Sequence, residues 1–149
     1  VSLEVNLSLC LPRDELSVPV VRHICSYALG EVGVAAGCVD DIRVALTEAC
    51  TNVLDHVHEG AAYEVFIDID EERCTIRVKD AGAGFDFEAD RSKPRAGADD
   101  ESGRGLELIG ALVDRMRFVS IPDDGMIVHL EKELQFDAAH PVRRRLAGS

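Results

Sequence analysis

The sequence predicts an α/β (α+β) two-layer sandwich, a mostly antiparallel mixed sheet with helices on one face. Three observations carry this expectation. Alternating apolar and polar residues recur at Leu3–Leu9, Tyr63–Ile69, Cys74–Lys79, Met116–Ser120 and Met126–Glu131, the period-2 mark of half-buried strands. Segments of helical period lie between them, and the resulting order β-α-α-β-β-loop-α-β-β places helices beside paired strands. With 149 residues and 46% hydrophobic content, the chain can build one domain with a core. That domain is expected over residues 1–134, with 135–149 as a basic, flexible tail.

The elements follow from local chemistry. In the first strand, Leu3, Val5, Leu7 and Leu9 alternate with polar residues until Pro12 and Asp14 break the pattern. From Glu15 to about Leu29, Leu16, Val20, Ile24 and Tyr27–Ala28 repeat at helical spacing, with Pro19 near the helix start, where proline is tolerated. Gly30 to Gly37 reads as a connector. Asp40 is a candidate N-cap for a long helix to about His58, with Ile42, Ala45, Leu46, Ala49, Val53 and Val57 as its apolar face. The turn Asp70-Glu71-Glu72 joins the next two strands into a hairpin. Residues 81–102 form a polar loop, long enough to suggest a lid. A third helix is expected from Gly103 to about Asp114, and a second hairpin turns at Pro122–Gly125.

Composition excludes several classes. The net charge of −12 argues against direct nucleic-acid binding, which depends on cations at phosphates; Arg143-Arg144-Arg145 is the local exception. No stretch approaches the roughly 18 apolar residues of a membrane span, so no membrane association and a cytoplasmic location are expected. Five cysteines are widely spaced, with no C-x-x-C pair, and read as reduced packing residues rather than a disulfide or zinc framework.

Three separated segments carry the chemistry. Glu48, Asn52 and His56 recur every four residues, so they share one helix face within about 80°. Glu48 can handle a proton, and the Asn52 amide oxygen can ligate Mg²⁺. Taken alone, this is also the pattern of a solvated polar stripe. Asp80 follows a strand and precedes Gly82 and Gly84; its carboxylate can accept a hydrogen bond from an adenine amino group. Gly103-Arg104-Gly105 opens a helix, where free N–H groups and the dipole favour phosphate. It is neither a Walker A loop nor a dinucleotide-binding fingerprint.

Together, Glu48–His56, Asp80–Gly84 and Gly103–Gly105 resemble the N, G1 and G2 boxes of the GHKL (Bergerat-fold) ATPase/kinase superfamily, which includes DNA gyrase, MutL and histidine kinases. The string from Thr47 to His56, T-E-A-C-T-N-V-L-D-H, is most similar to the anti-sigma-factor serine/threonine kinases of RsbW and SpoIIAB type, found in bacterial stress and sporulation switches. The likeness runs from about Leu3 to Lys132. It implies ATP and Mg²⁺ as cofactors, Glu48 as the catalytic carboxylate, Asn52 as the metal ligand and Asp80 as the adenine reader. Gly82 and Gly84 would shape the base pocket; Gly103, Arg104 and Gly105 would contact phosphates beneath a lid at 87–102. The implied partners are an anti-sigma-factor antagonist, phosphorylated on Ser or Thr, and a sigma factor, with a homodimer as the usual state.

Two departures stand out. Val57 follows His56 where the family often has glycine, and Met126 and Ile127 occupy a stretch where it commonly offers a threonine hydroxyl. Adenine recognition would then rest more heavily on Asp80. An ATP-gated binding module without kinase activity is the alternative reading.

Overall fold

The computed structural model describes residues 2–56, 62–80, 107–121, 125–142 and 144. Five strands, β1 (Glu4–Pro12), β2 (Ala62–Asp70), β3 (Arg73–Asp80), β4 (Arg115–Ile121) and β5 (Gly125–Glu133), form one sheet in the order β1-β2-β3-β5-β4. All four ladders are antiparallel, so no parallel pair occurs among the described residues. Because β5 lies between β3 and β4, those two run in the same direction without pairing. The chain between them must therefore cross back along the sheet. Residues 107–112 are helical on that path, with Ile109 buried in the core. The expected helix start at Gly103 lies outside the described residues, as does the polar loop.

Two helices, α1 (Ser17–Glu31) and α2 (Ala36–His56), complete the covering layer. Val65, Ile67, Ile76, Val78 and Leu130 point from the sheet into this layer and are fully buried. α2 presents Ile42, Ala45, Leu46, Ala49 and Val53 as its buried face, as its periodicity predicts.

α1 has the expected period but buries the neighbouring face, one residue or about 100° further round. Val18, Val21, Cys25 and Leu29 are buried, whereas Leu16 and Tyr27 are more than 70% exposed and Val20 is about half exposed. Both stripes are apolar, so periodicity could not choose between them. The rotation is set by the turn before the helix, where the Asp14 carboxylate accepts from the Leu16 amide and the Ser17 hydroxyl donates to the Asp14 carbonyl. The Ser17 proton being committed there, the buried Tyr63 phenol donates to Ser17 Oγ and ties α1 to β2.

α2 begins four residues before the expected cap. Asp40 lies inside the helix and pairs with Arg43 at 3.2 Å. The start is set by tertiary contacts instead: Val34 bridges to Phe136, and the Ala35 amide donates to the Gln135 carbonyl at 2.7 Å. These bonds also correct the expectation of a free tail from residue 135. The Asp137 amide donates to the Gly33 carbonyl at 2.7 Å, and the His140 ring packs on Gly33, whose φ of +91° suits glycine. The folded unit thus extends past 134 to at least His140. Residues 143 and 145–149 lie outside the described residues.

Four of the five cysteines are buried thiols; Cys10 is exposed on β1. Burial pushes the Cys50 thiol up to about 12, and the neighbouring Cys25 thiol and burial raise Cys74 further. Thiols held protonated in this way are chemically inert.

Candidate functional site

α2 aims its polar stripe at one end of the sheet. Near its start, Cys38 Sγ donates to the Glu133 carbonyl and Asp41 pairs with Lys132 at 3.7 Å, so the helix begins over the end of β5. From residue 38 to 52 a helix advances about 21 Å. From Glu133 back to Met126 the strand covers about 24 Å. Asn52 therefore arrives at the end of the sheet where β3 finishes in Asp80. Arg13, at the end of β1, donates to the Leu54 carbonyl at 3.0 Å, satisfying one of the acceptors left open in the last turn of α2.

Asp80 is the last residue of β3 rather than the first after it. The alternation that buries Cys74, Ile76 and Val78 also places Asp80 on the helix side, 5% exposed. A carboxylate there is costly unless something uses it, because an ordinary core position would carry an apolar residue. Tyr63 stands directly opposite Asp80 in the β2–β3 register. One step beyond the last β3–β5 pair, Lys79 with Ile127, the same register brings Met126 to its other side.

That register separates the two residues flagged at the departure from the family pattern. Met126 is fully buried on Asp80's face of the sheet, whereas Ile127 points to the opposite face. Only Met126 can border the site. The Tyr63–Ser17 link is the element the sequence reading missed. The hairpin turn at residues 71–72 already implied that Tyr63 pairs with Asp80, because a two-residue connection sets the register of both strands.

Glu48 is half-buried and Asn52 is 7% exposed, on the stripe that the four-residue spacing predicts. The Asn52 Nδ2 finds no hydrogen-bond partner among the described residues. A buried polar group left unpaired costs about 1–3 kcal/mol, so a polar ligand belongs beside it. A half-turn of the amide exchanges its nitrogen and oxygen, and the oxygen is a hard donor suited to Mg²⁺. Among the described residues no group of three or more His, Cys, Asp or Glu could hold a metal. Gly82, Gly84, Gly103, Arg104, Gly105 and the lid at 87–102 lie outside the described residues, as does the side chain of His56.

This architecture matches a known family. The model for the histidine kinase-like ATPase domain matches residues 11–132, and the chain belongs to that family. Its relatives include serine-protein kinase RsbW of Halalkalibacterium halodurans, 34% identical over 89% of this chain and 85% of the relative. Serine-protein kinase RsbW of Bacillus cereus strain Q1 is 31% identical over 87% and 86%. Among solved structures, the RsbU and RsbW domains of a Mycobacterium tuberculosis protein superpose with a TM-score of 0.66 at 19% identity. That match covers 87% of this chain and 32% of the longer one, and it bears on the fold alone.

Proposed function

We propose that this chain is an anti-sigma factor with ATP-dependent serine/threonine kinase activity, which phosphorylates an anti-sigma-factor antagonist and sequesters a sigma factor. Membership of an ATPase domain family and relatives named serine-protein kinase at 31–34% identity support ATP binding and a kinase. The observation that supports the reading is that α2, which carries Glu48 and Asn52, runs toward the end of the sheet where β3 closes in Asp80. Two of them are buried polar groups in apolar surroundings, as expected of residues retained for a ligand rather than for stability.

In this reading Asp80 accepts a hydrogen bond from the adenine amino group, and buried Met126 and Tyr63 flank it with apolar surface. Glu48 takes the proton of the antagonist's Ser or Thr hydroxyl as its oxygen attacks the γ-phosphorus. The bond from that phosphorus to the β,γ-bridging oxygen breaks, and ADP leaves. The Asn52 amide oxygen would hold Mg²⁺, which when bound neutralises phosphate charge. Gly82 and Gly84 are proposed to shape the base pocket, and Gly103, Arg104 and Gly105 to hold phosphates.

The test is incubation with radiolabelled ATP and each candidate antagonist from the same genome. Label on a Ser or Thr of one antagonist, lost in Glu48→Gln, supports the kinase. A chain that binds ATP and a sigma factor but labels no antagonist is the ATP-gated module instead.

A further inference from the structure

The two edges of the sheet are not alike. β4, at one edge, carries Arg115 and Arg117, both exposed; charged side chains of this kind keep an edge strand from pairing with another chain. β1, at the other edge, has no such guard. It pairs with β2 without a bulge, from Glu4 opposite Asp70 to Pro12 opposite Ala62. It holds no lysine or arginine, its one charge is Glu4 at its start, and its one proline is its last residue. Among the described residues no strand pairs with its outer side, so the N–H and C=O groups of every second residue point outward there. Its side chains are also incompletely covered. Val5, Leu7, Leu9 and Leu11 lie on the helix side and are only half-buried, although Ile69, Ile67, Val65 and Tyr63 opposite them on β2 are fully buried. The apolar layer thus ends at β1 with its last row still partly in water.

On the opposite, open face of the sheet the same edge is acidic. Glu4 of β1 points there, with Glu64, Asp68 and Asp70 of β2 beside it. The cations of that face begin only on β3, with Arg73, Arg77 and Lys79. A cavity of about 470 Å³, lined by Glu4, Asn6, Asp68, Asp70, Glu71 and Glu72, opens at the end of this edge. Glu64 is paired with Lys79 at 3.9 Å, whereas Asp68 has no ion pair among the described residues. Asn6, Ser8 and Cys10 on β1 are small and exposed. A strand added outside β1 would lie about 9.6 Å from β2, two strand spacings, and a long cationic side chain spans that distance to a carboxylate.

We propose that the β1 edge is a docking site for an extended segment of a partner protein, taken up by strand addition, in which apolar residues alternate with lysine or arginine. The apolar residues complete the cover over Val5, Leu7, Leu9 and Leu11, and the basic ones meet the acids of β1 and β2. Backbone hydrogen bonds supply affinity in such a complex, and alternate side chains supply selectivity. A second copy of β1 suits the edge poorly, because on the open face it brings Glu4 and no cation to an acidic surface. The proposal does not rest on the kinase reading.

Amide hydrogen exchange on the full chain, read by NMR, tests it with the peptide acetyl-Lys-Val-Lys-Val-Lys-Val-Lys-amide as probe. In the free chain every second amide between Val5 and Leu11 is expected to exchange fast. Saturating peptide should slow those amides by about tenfold or more, while the intervening amides, already bonded to β2, change little. A contact held by charge alone would not leave that alternation. Fluorescence anisotropy with labelled peptide is expected to show saturable binding that weakens in high salt. Replacing the lysines by glutamate, or methylating every backbone nitrogen, should each weaken binding by roughly tenfold or more. Asn6→Lys with Ser8→Lys, at two exposed positions, is expected to abolish binding in a folded chain, and Asp68→Asn to weaken it several-fold. No binding of the lysine–valine peptide, equal binding of the methylated one, protection that does not alternate, or full binding by the double-lysine variant would overturn the proposal. Outer amides already protected in the free chain would show that this chain or a second copy covers the edge, and would overturn it as well.

Discussion

On the helix side of the sheet, Val65, Ile67, Ile76, Val78 and Leu130 are fully buried, and Asp80 is the one charged residue among the described buried positions. On the other side the same strands carry Glu64 with Lys79 at 3.9 Å, Phe66 under Arg77, and His129 donating to Glu131 at 3.1 Å. Glu64, Lys79 and Glu131 on the second side keep contact with water and cost little, so their presence there says nothing about chemistry. A carboxylate and an amide on the first side are expensive, which is why they point to a ligand. The comparison teaches that a polar residue is informative in proportion to what burial costs it.

The sharpest test of that contrast is catalytic. Glu48→Gln keeps the shape and removes the charge, so antagonist phosphorylation is expected to fall by roughly 10²–10⁴-fold while nucleotide binding persists. Full kinase activity in this variant would remove Glu48 from its role.

Stability should divide along the same line. Ile67→Ala, on the buried face, is expected to cost about 2–5 kcal/mol in urea unfolding. Thr75→Ala, on β3 but facing away from the helices, should stay within about 0.5 kcal/mol. Equal losses would erase the distinction between the faces.

Asp80→Asn replaces an acceptor by an amide and is expected to weaken ATP binding by roughly tenfold to a hundredfold, about 1.5–3 kcal/mol. Calorimetric titration of the folded variant decides this; unchanged affinity would mean Asp80 is buried for another reason. Asn52→Ala should reduce the strengthening of ATP binding by Mg²⁺, with less effect on ADP. Wild-type magnesium dependence would free Asn52 from the metal.

The smallest expected effect lies on the open face and is read through pH. Burial lowers the His129 pKa below its ordinary value, against the opposing pull of Glu131 and with help from Arg117 and Arg77. The unfolded chain then binds a proton at higher pH than the folded one, so stability falls as pH drops through the ordinary histidine range. Glu131, held below its usual value first by the hydrogen bond from His129, contributes stability that is lost at still lower pH. His129→Gln should flatten the loss of urea stability between about pH 7 and pH 5. An unchanged slope would place the titration elsewhere.

Much of this was legible in the chain. Alternation located all five strands, and four-residue spacing located Glu48 and Asn52, because both signals repeat with the geometry of the element that carries them. Element ends were less legible. α2 starts at Ala36 because Val34 and Ala35 bond to residues a hundred positions away, and no local cap announces such a contact. α1 turned its second apolar stripe inward because the Asp14–Ser17 turn sets its rotation and Tyr63 of β2 holds Ser17.

By itself, then, the sequence determined the element types, the hairpins, and which polar residues share a face with one another. These depend on neighbours a few positions apart, where backbone periodicity leaves little choice. Only the tertiary structure decided that Asp80 is buried between Tyr63 and Met126, that Ile127 faces away from it, and that acidic and cationic columns lie side by side on the open face. Those facts depend on strand order and register, which arise when long-range pairing and burial are satisfied together, and no window of local sequence contains them.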